Sequence, residues 1–163
     1  MATLISLEAE RSRFTHLEGL VLKLAVRAAR PEDEDGVAQL WRSCGLTTPY
    51  NDPAADFRFA IAGACSDVLV GLDDVQQLRG TVMVGHDGHR GWLYYVAADP
   101  RSRGVGIGRQ MVSAGEAWLR ERGVVKVQLM VRPSNVSVVK FYERLGFDET
   151  PRTVMAKWLS EGP

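Results

Sequence analysis

The spacing of apolar and polar positions changes along the chain, and each change marks an element. Residues 20–29, LVLKLAVRAA, are apolar with isolated charges and predict a first strand. Pro31 follows, with Glu32, Asp33, Glu34 and Asp35 behind it. Proline at a first helical position and carboxylates in the first turn predict a helix start. Val37, Leu40 and Trp41 fall on one face of that helix, which is expected to end near Gly45. TTPYNDP (47–53) is a turn-rich link. Asp52 before Pro53 predicts the cap of a second helix, with Phe57, Ile61 and Ala64 as its apolar stripe. Three strands are expected next, DVLVGLDD (67–74), LRGTVMVG (78–85) and WLYYVAA (92–98), the last two joined by the hairpin HDGHRG.

After Pro100 the period changes. Ile107, Met111, Val112, Gly115, Trp118 and Leu119 recur at helical spacing, and Gly123 is positioned to close the helix. VVKVQLMV (124–131) predicts another strand, and VSVVKFYERLG (136–146) a short helix ending at Gly146. FDET and TVMAKWL predict two final strands. The strand, glycine loop, helix and strand over 92–131 form a βαβ unit, expected to be right-handed. The expected fold is a single α/β domain over residues 21–163. Its mixed, mostly antiparallel sheet has six or seven strands, with about four helices on both faces. Residues 1–20 mix apolar and charged positions without a period and read as an N-terminal extension.

Composition narrows the function classes. The chain has 163 residues, 45% hydrophobic and 25% charged, enough for one domain with a real core. Its 20 basic and 20 acidic side chains cancel, so nothing asks for nucleic acid or an acidic membrane as partner. No stretch approaches the roughly 20 apolar residues of a membrane span. The first residues do not form a secretory signal, and the expected location is cytoplasmic. Cys44 and Cys65 lie in no CxxC pair and near no histidine. Two reduced, buried thiols are expected, with no metal site.

RSRGVGIGRQ (101–110) carries the chemistry. Free N–H groups at a helix start meet the positive end of the helix dipole and form an anion site. Glycines let the backbone approach the guest, and Arg101, Arg103 and Arg109 add charge. A dinucleotide fingerprint needs a third glycine where Arg109 stands, and a Walker loop needs a lysine that is absent. A diphosphate grip of another kind and a plain glycine-rich turn both stay open on the loop alone.

VAADPRSRGVGIGRQMV followed by NVSVVKFYERLGF resembles the GNAT superfamily of N-acetyltransferases. Arg103-Gly104-Val105-Gly106-Ile107-Gly108 matches the family's Q/R-x-x-G-x-G/A pyrophosphate motif. Asn135 with Phe141-Tyr142-Glu143-Arg144-Leu145-Gly146-Phe147 matches its second motif, and the resemblance covers residues 22–160. NDP and GHDGHRG are also similar to a bacterial subgroup near ribosomal-protein N-acetyltransferases. The resemblance implies acetyl-CoA as cosubstrate, lying between the strands at 92–98 and 124–131. The backbones of Val96, Ala97 and Ala98 are then expected to pair with pantetheine. Those of Arg103, Gly104, Val105, Gly106, Ile107, Gly108 and Arg109 are expected to hold the pyrophosphate. Asn135 is expected to contact CoA or to cap its helix.

Acyl transfer needs a deprotonated amine, a donor for the thioester oxygen and a proton for the leaving thiolate. The resemblance implies a backbone N–H near Val96 as oxyanion donor and Tyr142 as the acid. Tyr142 lies one position off the apolar stripe of Val138, Phe141 and Leu145, which favours a polar role over a core one. Met130 stands where ribosomal-protein acetyltransferases carry a glutamate. Asp52, His86, Asp87, His89, or a water chain beside Tyr94, are the remaining base candidates, and a neutral amine needs none. The expected activity is acetyl transfer from acetyl-CoA to an unidentified primary amine in a ternary complex. A CoA-sensing module without catalysis and a transferase for another acyl-CoA are the alternatives. Homodimers are common among such relatives, and Trp158 is a candidate for that contact or for the core.

Overall fold

The computed structural model describes residues 21–159, so the expected extension at 1–20 lies outside the described residues. In chain order the elements are β1 (Ala25–Ala28), α1 (Glu34–Ser43), α2 (Pro53–Ala62), β2 (Ser66–Leu72), β3 (Leu78–His86), β4 (Gly91–Ala98), α3 (Ile107–Glu121), β5 (Val127–Gln128) and α4 (Val136–Glu143). Short 3-10 turns at Pro31–Asp33 and Pro100–Ser102 lead into α1 and into the glycine loop. The chain divides into two compact units, one ending at Gln128 and the other beginning at Leu129.

The first unit is a sheet between two helical layers. Strand order is β1-β2-β3-β4-β5, antiparallel except for the parallel pair β4 and β5. Successive side chains of a strand point to opposite faces, and β2 shows how each face is used. Val68 and Val70 join Val37, Leu40, Trp41, Phe57, Ala60 and Ala97 in the core beneath α1 and α2. Gly71 faces the other way, towards Met111 of α3 and Leu24. All six stripe residues of α3 read from the sequence are buried. α3 lies close on the sheet because β3 has no side chain at Gly80. A Cβ there would stand 2.7 Å from Cγ2 of Ile107 and 2.8 Å from Cγ of Met111.

Local chemistry explains the helix ends. Asp52 caps α2 by accepting from the Ala54 N–H at 2.9 Å. Gly63 takes an extended conformation and ends the helix, so Ala64 lies beyond it, exposed, rather than on its stripe. Gly123 follows α3 with φ of 74°, a left-handed conformation suited to glycine. Cys44 is half-buried and Cys65 exposed, both as free thiols, rather than both buried.

The expected six or seven strands become five among the described residues. The strand read over 124–131 pairs only at Val127 and Gln128, opposite Gly91 and Trp92. FDET and TVMAKWL form no strand. Their composition suits a strand, but propensity becomes a ladder only where a neighbouring backbone pairs with it. Here the apolar side chains stay in solvent, with Met155 90% and Leu159 98% exposed. In the second unit α4 is followed by a turn through Gly146, and Tyr142 packs edge-on against Phe141 and Phe147 at 5.0 and 5.5 Å.

Gly80→Val should force α3 off the sheet and cost about 1–3 kcal/mol. The expected result is a lowered melting temperature; an unchanged one would contradict the close approach.

Candidate functional site

The glycine loop joins β4 to α3 through two left-handed residues, Gly104 (φ 80°) and Gly106 (φ 82°). Gly106 is the N-cap, and the first helical hydrogen bond runs from the Gln110 N–H to its carbonyl at 3.1 Å. The N–H groups of Ile107, Gly108 and Arg109 therefore stand outside the helical ladder, at the positive end of a 15-residue helix. Gln110 fixes the loop from behind. Its amide donates to the Leu22 carbonyl at 2.6 Å and accepts from the Leu24 N–H at 3.0 Å. The Leu22 N–H donates to the Val105 carbonyl at 3.1 Å.

The three arginines divide by partner. Asp99, just before the loop, accepts from the Arg101 N–H at 3.0 Å and from its guanidinium at 3.1 and 3.0 Å. Arg79 donates to Asp99 at 2.9 Å and to Asp73 at 2.7 Å. Arg79 is the extra residue of a bulge, since Gly71 opposes Gly80 while Leu72 opposes Leu78. The Arg101 guanidinium, with Arg79 beside it, holds the Asp99 carboxyl down to about 2. Arg101 is thus a brace for the loop. Among the described residues no carboxylate pairs with Arg103 or Arg109.

β4 carries a second irregularity that decides which peptides are open. At the hairpin end the Asp87 N–H donates to the Arg90 carbonyl at 3.2 Å. By alternation Trp92 and Tyr94 turn their backbones to β3, and Gly91 and Leu93 turn outward. The Gly91 N–H accordingly donates to the Lys126 carbonyl at 2.9 Å. At the other end the Asp99 N–H donates to the Arg79 carbonyl at 2.8 Å, so Ala97 faces β3 while Val96 and Ala98 face outward. Odd residues face out at one end and even residues at the other. The switch is a bulge: Thr81 opposes Ala97 and Met83 opposes Tyr94, so Tyr95 and Val96 together oppose Val82. Tyr95 has φ of 46°, a left-handed conformation that costs a non-glycine residue roughly 1–3 kcal/mol. Beyond Trp92 no strand pairs with the outer edge of β4 among the described residues.

The acetyltransferase (GNAT) family matches residues 35–147, more than half of the chain. An acetyltransferase of Pectobacterium atrosepticum is 35% identical over 138 residues, covering 85% of this chain and 97% of its own. The chain belongs to the GNAT acetyltransferase family. Membership makes it an enzyme of the acetyl-CoA-dependent N-acetyltransferase class. Solved structures share the fold. An aminoglycoside N-acetyltransferase in complex with CoA has a TM-score of 0.72 at 17% identity, covering 85% of this chain and 97% of that one. A Clostridium acetobutylicum protein solved with acetyl-CoA has a TM-score of 0.66 at 17% identity, covering 83% and 96%.

Within this acetyltransferase several candidate bases have other work. Asp52 is the α2 cap. Asp87 accepts from the N–H groups of His89 and Arg90 at 2.8 and 2.6 Å and from the Trp92 indole at 3.2 Å. The N–H donors of Arg90 and His89 hold its carboxyl down to about 2, which makes it a poor proton acceptor. His89 has its ring 3.3 Å from the Arg90 guanidinium. Tyr94 stacks with Trp92, and burial raises its phenol above the ordinary value. Asn135 starts α4 with its main-chain carbonyl; its side chain accepts from the Ser137 hydroxyl at 3.3 Å and makes no cap bond. Burial pushes Tyr142 up to about 12. Asn135, Tyr142 and Met130 belong to the second unit, and Val96 through Arg109 to the first.

Sequence reasoning missed the bulge at Tyr95 and its neighbours Trp41, Asn51, Asp56 and Thr81. No glycine or proline flags the irregularity in LYYVAA. Among the described residues no cluster of metal-binding side chains occurs, and no helix is long and apolar enough to cross a membrane.

Because the folded carboxyl of Asp99 is depressed, its stabilising effect is complete above pH ~4 and is lost as pH falls towards 2. Asp99→Asn should cost about 1–2 kcal/mol at neutral pH in denaturant unfolding. The gap to wild type should close as the medium is acidified; a gap independent of pH would contradict the assignment.

Proposed function

We propose that the enzyme moves an acetyl group from acetyl-CoA to a primary amine by direct transfer in a ternary complex. One observation carries this reading: the order of open groups along β4 and the loop. The outward peptide of Val96 and the outward N–H of Ala98, whose carbonyl accepts from the Cys44 thiol at 3.3 Å, lead to unladdered N–H groups at the start of α3, flanked by Arg103 and Arg109. An extended chain of amides ending in a diphosphate has matching groups in the same order. In this reading Val96 and Ala98 pair with pantetheine while Ala97 keeps the strand on β3. Arg103, Gly104, Val105, Gly106, Ile107, Gly108 and Arg109 hold the pyrophosphate, and the side chain of Asn135 contacts CoA. The CoA and acetyl-CoA of the structural neighbours support the donor. The catalytic domain is residues 21–163, preceded by an extension, in the subgroup near ribosomal-protein acetyltransferases.

The chemistry balances without a cofactor. The amine nitrogen attacks the thioester carbonyl carbon, and the Val96 N–H receives the developing oxyanion. The carbon–sulfur bond breaks, and the thiolate takes the proton of Tyr142. The surplus proton of the amine goes to water, which reprotonates Tyr142. A phenol at about 12 stays protonated through neutral pH, which suits an acid and not a base. The amine arrives neutral. The occupied carboxylates Asp52 and Asp87 favour a second reading, a CoA-sensing module without catalysis.

Calorimetry with CoA tests the first step. Arg103→Ala and Arg109→Ala should each weaken binding about tenfold, and a wild-type protein that does not bind CoA would end this reading. Thiol release across a panel of primary amines tests the second. Tyr142→Phe should lower kcat about 100-fold, whereas the sensing module predicts no thiol release from either form. The wild-type kcat/KM for the amine should climb with pH as the amine in solution loses its proton. It should not fall until pH nears the Tyr142 value of about 12; a descending limb near neutrality would exclude Tyr142 as the acid.

A further inference from the structure

We propose that Tyr95 is a positioning residue for acetyl transfer, and that its clamp by Trp41, Thr81, Asp56 and Asn51 holds the β4 bulge which turns Val96 outward. The proposal rests on the function proposed above, in which the Val96 N–H serves the thioester oxygen. The bulge needs an explanation because its key residue is a tyrosine at φ 46°. Such a conformation persists in an L-residue only where the surroundings over-determine it. Four contacts do so. The Tyr95 ring stacks on Trp41 with centroids 4.1 Å apart and planes 13° from parallel. Its hydroxyl donates to Oδ2 of Asp56 at 2.7 Å and accepts from Nδ2 of Asn51 at 3.2 Å. Its carbonyl accepts from the Thr81 hydroxyl at 3.2 Å, and that hydroxyl accepts from the buried Trp41 indole at 2.9 Å. Both ends of the residue are therefore tied, main chain through Thr81 and side chain through Asp56 and Asn51.

The tie has a chemical consequence. Were β4 regular, alternation from Trp92 and Tyr94 would turn Val96 and Ala98 towards β3 and Ala97 outward. The bulge inverts that order for the last part of the strand. The hydroxyl itself takes no part in proton transfer. Burial, with Asp56 beside it, pushes Tyr95 up to about 12, so it remains a donor to the carboxylate throughout the working range. Asn51 and Asp56 come from the loop before α2 and from its first turn, where Thr48 also donates to Oδ1 of Asn51 at 3.0 Å. The α1–α2 segment thereby sets the aim of a peptide on β4.

Tyr95→Phe and Asp56→Ala remove the hydroxyl tie, and Asp56→Asn keeps an oxygen acceptor for it. Thiol release from acetyl-CoA across the amine panel should show kcat lowered at least about tenfold in the first two. KM for acetyl-CoA and CoA affinity by calorimetry should change less than kcat, because the loop at the start of α3 still holds the diphosphate, and Asp56→Asn should recover most of kcat. A purely structural role would lower the melting temperature and leave kcat intact below it. That outcome, or a loss confined to CoA affinity, would overturn the proposal. Amide NMR of 15N-valine-labelled protein without ligand reads the bulge independently of turnover. The Val96 signal should move in Tyr95→Phe and Asp56→Ala and return in Asp56→Asn; an unmoved signal would overturn the proposal even in a protein with no turnover. Absence of CoA binding in wild type would instead sink the function reading alone.

Discussion

A strand at an open edge must leave its outward peptides without a ladder partner, and in this protein that constraint falls on Val96 and on Ala98, whose carbonyl accepts from the Cys44 thiol at 3.3 Å. β4 pairs with β5 only at Gly91 and Trp92, so among the described residues the rest of its outer edge has no strand beside it. Unpaired edges are usually blunted because they recruit other chains. Here the edge is short, bends at Tyr95, and runs into the N-terminus of α3. Every neighbouring element serves the same line. Gly80, Gly91 and Gly115 let α3 lie close behind it, since a Cβ at Gly91 would stand 2.6 Å from Leu119 and one at Gly115 2.8 Å from Leu93. On the other face Trp41 fixes the aromatic side of the bulge.

Charge holds the second half of the line. Asp73 and Asp99 are both buried, and two buried carboxylates are tolerable only when paired. Arg79 bridges them, and Arg101 closes on Asp99 from the solvent side. The arrangement fixes the turn at Pro100–Ser102 and so the entry to the glycine loop. It also sorts the arginines: Asp99 holds the one nearest β4, and no carboxylate among the described residues pairs with Arg103 or Arg109.

Much of this could be read from the sequence, for a physical reason. The α3 stripe from Ile107 to Leu119 is local periodicity, and all six positions are buried. Strands β2, β3 and β4 are bounded by turn residues, and Asp52 before Pro53 marks its own helix. The misses depend on partners distant in sequence. LYYVAA looks like an even strand, and its bulge is fixed by Trp41, Asp56 and Thr81, which no local pattern connects to it. TVMAKWL has strand composition without a strand to pair with. RSR looks like three equivalent charges with Arg109, until Asp99 takes one of them. Asn135 stands where a cap is expected, yet its carbonyl and not its amide begins the helix.

The central claim is that the bulge and the loop together form one continuous grip for an acyl-CoA donor. A crystal structure of the acetyl-CoA complex tests it most directly. The account predicts pantetheine amides bonded to Val96 and Ala98 but not to Ala97, with diphosphate oxygens on the N–H groups of Ile107, Gly108 and Arg109. Pantetheine paired with Ala97, or a diphosphate held away from the start of α3, would contradict it.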